Sequence, residues 1–349
     1  MSEVNNKANA RWYDANCAIY ELFAQSLETI ISRRVKEEKL IIHSLTHRVK
    51  DRDSFLEKCI RKNYSNPESQ MMDLAGLRII AYTIKDVETA CRIIEEVFDI
   101  DEENSQNKAL CLGTDKVGYL SHHYIVTLGK ERASLPEYAG LCNLKAEIQI
   151  RTLLQHAWAE IEHDREYKFS GQLPTSISRR FHLAAANLES VDIEFQRLSD
   201  EIDLYKEQIK LDIKEGHLQG IQIDTVSLVE FMNSYFPELF AGKNLGYDDK
   251  DIIHELSQFD INSIEDLSAL LTHELHSYIT NYFHNHENIF DTNFAFLLRS
   301  MMIMTDANKY FKQAWKEEAW QCETRSTLKF WSGYGVSENI VCNYIQIID

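Results

Sequence analysis

Glycine and proline are scarce, 12 and 4 in 349 residues, so regular structure is rarely interrupted, and long stretches of Leu, Ile, Glu and Lys favour helix over strand. The seven cysteines stand at 17, 59, 91, 111, 142, 322 and 342. They are odd in number and never form a C-x-x-C pair, which argues against a disulfide framework or a zinc site and for reduced, buried thiols. No run approaches the ~18 apolar residues of a membrane span, and the polar N-terminus carries no apolar leader segment. The expected location is cytoplasmic. Basic residues are also deficient, 37 against 55 acidic ones for a net charge of −18, which speaks against indiscriminate binding to DNA and against an anionic membrane surface.

What is present is a chain 44% hydrophobic, long enough for one sizeable core and a second smaller unit. Charge is unevenly spread. From Arg33 to Lys62 there are ten Lys/Arg against five Asp/Glu, and from Thr225 to Asp349 eight against eighteen. Anionic ligands belong at the front.

Apolar residues at 19, 22, 23, 27, 30, 31 and 35 predict an amphipathic helix over 16–44. A second helix is expected from Asp51 to Lys62, closed by the turn formers Asn63 to Pro67. Gly76 to Thr83 reads as a strand, with Asp86 capping the helix after it. Two more strands are expected at Tyr119–Leu128 and Leu144–Arg151. In the latter Lys145, Glu147, Gln149 and Arg151 share one face and Leu144, Ala146, Ile148 and Ile150 the other. The same alternation puts Tyr119, Ser121 and His123 together, and Thr152 is placed to cap a helix carrying His156 and Glu160.

From Phe181 to Ile209 the apolar steps alternate three and four, a long heptad helix. Packing against the first helix is the plain reading, and a self-association seam joining a homo-oligomer the alternative. After Gly216 an acidic, aromatic-rich helical unit follows, in which Tyr278–Phe283 and Phe290–Phe296 read as core. The expected organisation is residues 1–215 and 216–349.

The chemistry-bearing residues cluster before 160. Arg48, Lys50, Ser54 and Lys58 are read at a helix start and along one helix face, able to grip a polyphosphate or to form a solvated basic face. Asp73 precedes one strand and Glu147 lies on another. If the strands are neighbours, two carboxylates meet where hard oxygen ligands suit Mg²⁺ on substrate phosphates, though structural acids are commoner. Tyr119, His123 and His156 taken singly are more often core residues than site residues.

Four ordered segments change that balance: Arg48-Val49-Lys50 through Lys58, Asp73 to Arg78, Gly118 to His123, and Glu147 to Thr152. In order and spacing they resemble the RelA/SpoT alarmone synthetase domain, and His156 through Asp164 resembles its small single-domain members and toxin relatives. The resemblance covers about residues 15–215.

It implies an α+β fold, a nucleotidyltransferase-like mixed sheet flanked by helices, followed here by the heptad helix and an all-helical C-terminal domain. It implies a Mg²⁺-dependent pyrophosphokinase moving the β,γ-diphosphate of ATP onto the 3′-hydroxyl of GTP or GDP, with AMP leaving. Carried over, Arg48, Lys50, Ser54, Lys58 and Arg78 hold donor phosphates, Asp73 and Glu147 bind the metal, and Glu147 alternatively takes the hydroxyl proton. Gln149 joins them in the catalytic group. Tyr119 stacks on the acceptor base, with Ser121, His123, Arg151 and His156 around the acceptor.

Residues 107–117 keep only Lys108 and Lys116 as cations where the family has a more basic loop. Acceptor identity therefore stays open between a guanine nucleotide, an adenine nucleotide and the tRNA 3′ end, the last two in a toxin-type relative with the C-terminal unit as inhibitor. A non-catalytic nucleotide sensor is a further alternative, and the presence of both Asp73 and Glu147 disfavours it. The short stretch before Arg48 leaves no room for a hydrolase domain, so no alarmone hydrolysis is expected.

Overall fold

The computed structural model describes residues 3–107, 121–168, 174–240, 251–286, 293–315 and 321–348. Two compact units divide the chain, Met1–Asp200 and Glu201–Asp349.

The first unit is built on helix α1 (Glu3–Glu37), strand β1 (Ile42–Val49), helix α2 (Arg52–Lys62), strand β2 (Ala75–Ala81) and helix α3 (Ile84–Val97). Strands β3 (Asp99–Ile100), β4 (Gln106–Asn107), β5 (His122–Thr127) and β6 (Ala146–Thr152) follow. Helices α4 (Leu153–Lys168) and α5 (Thr175–Glu215) come last, α5 running on past Asp200 into the residues of the second unit. The sheet order is β1-β2-β6-β5-β3, with β4 also paired to β5. Only β2 and β6 run parallel; β1, β3, β4 and β5 pair antiparallel, so the sheet is mixed as expected.

One face of this sheet is core. Ala75, Leu77, Ile79 and Ala81 of β2 and Ala146, Ile148 and Ile150 of β6 pack with Phe23, Leu27 and Ile31 of α1 and Ile93 and Ile94 of α3. Full burial of each large aliphatic or aromatic side chain contributes about 1.5–3 kcal/mol before the entropy of ordering it. The opposite face carries Glu147 and Gln149, as the alternation in this segment predicts.

Helix boundaries follow local chemistry. Asp51 caps α2 by accepting from the Ser54 amide, and Asn63 closes it in the left-handed conformation at φ 54. Thr152 Oγ accepts from the Gln155 amide, and the Gln155 side chain accepts from the Thr152 amide, the reciprocal bonding of a capping box. The cap of α3 is Thr83, not Asp86. Asp86 occupies the third helical position and bonds back to the Thr83 amide.

Three further expectations are corrected. The first helix does not extend to 44: it ends at Glu37, Lys39 turns at φ 55, and residues 42–49 form an edge strand. Arg48 therefore lies on β1, and Lys50 stands ahead of the cap of α2, so neither belongs to a helix face with Ser54 and Lys58. In α5, Val191, Phe195, Leu198, Ile202 and Tyr205 are 40–50% exposed. The heptad face does not pack against the first helix over that stretch. Finally, Cys59 and Cys91 are buried, but Cys142, Cys322 and Cys342 are exposed.

The second unit is helical, with its own core. Leu228, Phe231, Leu256, Ile279, Phe283, Met301, Phe330 and Trp331 are among its buried residues, and Ile209 and Ile213 of α5 join it. One feature is added to the all-helical expectation, a short parallel ladder of Cys322–Thr324 with Gln346–Ile348. Elsewhere in this unit Glu255, wholly buried, accepts three bonds from Arg299 and one from the Tyr310 hydroxyl at 2.7 Å. Among the described residues no helix is long and apolar enough to cross a membrane.

Candidate active site

Strand register lays the polar face out in rows, because side chains directly opposite on neighbouring strands share a face. Arg48 of β1, Gly76 of β2 and Glu147 of β6 form one row. Thr46, Arg78, Gln149 and His123 form the next. A cavity opens over these rows, and Arg48, Asp73, Arg78, Glu147 and Gln149 all line it. Thus β2 and β6 are neighbours, and both carboxylates line one cavity.

Asp73 sits just before β2 and is only 19% exposed at its side chain. Its Oδ2 is held by Lys58 Nζ at 2.7 Å and Lys50 Nζ at 3.1 Å. The strand geometry explains the convergence: β1 delivers Lys50 beside the end of β2, where the Lys50 amide bonds the Leu74 carbonyl, and α2 brings Lys58 across. Asp73 Oδ1 is buried without a hydrogen-bond partner. A buried anionic oxygen left unmatched is costly, and a hard oxygen of this kind suits Mg²⁺.

Glu147 differs. Oε1 takes a bond of 2.9 Å from His123 Nδ1, and Oε2 one of 2.8 Å from the Gln149 side-chain Nε2. Burial pushes its carboxyl up, but the bond and charge of His123, with Gln149 and Lys58, outweigh this and bring it down to about 2. It is ionised throughout the neutral range. Among the described residues no group of three or more His, Cys, Asp or Glu could hold a metal. An ion here would lean on Asp73 and on ligands from outside the protein.

The network extends outward from Glu147. Ser121 Oγ lies 2.7 Å from His123 Nε2, and Arg151 donates to the Gln149 side-chain carbonyl. Arg151 is buried, and both burial and the nearby Arg78 disfavour its charge. His156 is likewise pushed toward its neutral form by burial and by Arg78. Its Nδ1 is buried and 3.7 Å from Glu160, too far for a hydrogen bond.

Of the residues singled out from sequence, Ser54 is the one the site does not take up: it is exposed and serves the Asp51 cap. Tyr119, with Gly118, Lys108 and Lys116, lies outside the described residues. Sequence reasoning placed Glu160 on the helix with His156 but gave it no site role; its Oε1 holds Arg78 Nη1 at 3.1 Å. Its place one turn after His156 was the available signal. Thr46 and His47 also line the cavity and were hidden by the unrecognised strand β1.

A family pattern described as the region found in RelA / SpoT proteins matches residues 47–172. The chain is 31% identical over 164 residues to the GTP pyrophosphokinase YjbM of Bacillus subtilis, spanning 46% of this chain and 74% of that protein. It is 28% identical over 195 residues to the GTP pyrophosphokinase YwaC of the same organism, 53% of this chain and 89% of the relative. The crystal structure of the small alarmone synthetase 1 from Bacillus subtilis aligns at 27% identity with a TM-score of 0.46, over 55% of this chain and 98% of that one. The matched stretch contains every residue described above at the cavity except Thr46, and the chain belongs to the RelA/SpoT family.

Proposed function

We propose that the chain is a Mg²⁺-dependent pyrophosphokinase that transfers the β,γ-diphosphate of ATP to the 3′-hydroxyl of GTP or GDP, forming (p)ppGpp. The observation that carries this reading is the grouping of Asp73, held by Lys50 and Lys58, with Glu147 in one cavity edged by Arg48 and Arg78. The names of the Bacillus relatives, both GTP pyrophosphokinases, support the acceptor class.

Diphosphoryl transfer needs in-line positioning and neutralisation of phosphate charge more than covalent help. Mg²⁺, when bound, supplies part of that neutralisation. Asp73 is the residue that would hold it, while Lys50, Lys58, Arg48 and Arg78 take the remaining phosphate charge. The 3′-oxygen bonds to the β-phosphorus as the bond to the α,β-bridging oxygen breaks, and AMP leaves. Glu147 accepts a hydrogen bond from the 3′-hydroxyl and takes its proton as the new bond forms and that proton becomes acidic. His123 and Gln149 fix the carboxylate; Ser121 and Arg151 fix them in turn.

The test is incubation with Mg²⁺ and γ-labelled ATP, offering GDP, GTP, ATP alone and bulk tRNA in parallel, with Asp73→Asn and Glu147→Gln as controls. Label on a guanine nucleotide, lost in both variants, is expected. Label on tRNA or on an adenine nucleotide replaces the acceptor assignment, and label on none overturns the reading.

A further inference from the structure

Lys50 is gripped by its backbone on both sides. Its amide donates to the Leu74 carbonyl at 2.9 Å, one residue from the Asp73 that its ammonium group reaches. Its carbonyl accepts a bond of 2.8 Å from the hydroxyl of Tyr13, which stands on α1, 37 residues earlier in the chain. Tyr13 is buried, and its hydroxyl oxygen also accepts from the Cys17 thiol at 3.3 Å. Burial, with the bond from Cys17, holds this hydroxyl far above its ordinary pKa, so it keeps its proton and remains a donor.

The ring of Tyr13 secures the other lysine. Phe55 of α2, fully buried, packs against Tyr13 with ring centroids 5.2 Å apart and against Trp12 at 5.8 Å. Lys58 follows Phe55 by about one helical turn. Apolar contact is enough to seat α2 in this way, and a phenylalanine at position 13 would supply it. What the hydroxyl adds is a directional bond to the peptide group joining Lys50 to Asp51, between the end of β1 and the cap of α2.

We infer that Tyr13 is a positioning residue for the donor nucleotide: it fixes the Lys50 backbone so that the ammonium group stands where the phosphates of ATP arrive. This rests on the reading of Lys50 and Lys58 as phosphate-binding groups. Tyr13 stands ahead of Arg48, the first site residue named from sequence, and it bonds a main-chain carbonyl that any residue at position 50 would present. A lysine stem is flexible, so the place its charge reaches depends on how firmly its α-carbon is held. Misplacement of a group by about 1 Å can cost 10²-fold, and loss of one of two anchors with packing retained is expected to cost about tenfold.

Isothermal titration calorimetry of the full chain with Mg²⁺ and α,β-methylene ATP, whose diphosphate cannot leave, tests this in a double-mutant cycle. Tyr13→Phe keeps the ring on Phe55 and deletes the hydroxyl; affinity is expected to fall about tenfold, with an unchanged circular dichroism spectrum. Lys50→Ala keeps the carbonyl that Tyr13 bonds and deletes the ammonium group. Arg48 and Lys58 remain in that variant, so weakened binding is still measured, and adding Tyr13→Phe is expected to cost nothing further. A hydroxyl that serves the fold alone would weaken both backgrounds equally or neither. Equal affinity of Tyr13→Phe and wild type, or an equal loss in the two backgrounds, overturns the role of Tyr13 and leaves the donor site standing. A wild-type chain that does not bind the analogue overturns the proposed function, and the positioning role with it.

Discussion

His123 Nδ1 stands 2.9 Å from Glu147 Oε1, so the carboxylate that β6 projects into the cavity is aimed by an imidazole on β5. Ser121 fixes the far side of that imidazole. Replacing His123 by Ala frees the carboxylate to rotate, and misplacement of a reacting group by about 1 Å costs on the order of 10²-fold. The loss is expected in kcat, with KM for ATP little changed, in steady-state kinetics.

Asp73→Asn keeps the size of the side chain but removes the anion that Lys50 and Lys58 share. Removing one member of a close charge pair also leaves the lysines facing each other. The expected outcome is a loss of about 10²-fold or more in kcat/KM, with a raised Mg²⁺ requirement in a metal titration at fixed ATP. A variant whose Mg²⁺ dependence matches the wild type removes Asp73 from metal binding.

His47 contacts Glu28 at 2.6 Å and Glu21 at 3.1 Å. Burial disfavours its charge, but the two carboxylates outweigh this and raise its pKa above the ordinary 6.5. A folded-state pKa above the unfolded one adds stability that is complete below about 6.5 and is lost as pH rises through the folded value. The stability difference between wild type and His47→Gln, from urea unfolding, is therefore expected to be largest at acidic pH and to shrink above neutrality.

Thr152→Val removes the cap on Gln155 and the hydroxyl bonded to Asp192 in a fully buried position. Loss of a buried bond of this kind costs about 1–3 kcal/mol. Urea unfolding is expected to show that loss in the valine variant and little of it in Thr152→Ser.

In the second unit, Glu255→Ala removes the carboxylate that Arg299 and Tyr310 both bond. Breaking a buried ion pair from one side costs about 3–5 kcal/mol. Hydrogen exchange is expected to rise across residues 201–349, because that core is built separately from the sheet.

Where one element faces core on one side and ligand on the other, its sequence states both. Strand 146–152 alternates without exception from 146 to 151, and Asp51, Asn63 and Thr152 mark their helix ends by caps that depend only on near neighbours. Edge strand β1 was illegible for the opposite reason. It pairs on one side only, Ser44, Thr46 and His47 interrupt its apolar positions, and no glycine or proline separates it from α1. Its loss carried Arg48 and Lys50 onto the wrong element while leaving their chemistry intact. The heptad of α5 is plain in sequence, but periodicity reports that a helix has an apolar stripe and is silent on what lies against it.

Lys50 and Lys58 already share the carboxylate of Asp73. A triphosphate arriving there exchanges one negative partner for another at the same two ammonium groups, so few mobile counterions are displaced from them. Nucleotide affinity should then fall with added salt less steeply than the number of cations around the cavity suggests, and the selectivity of that step rests on shape and phosphate geometry more than on bulk attraction.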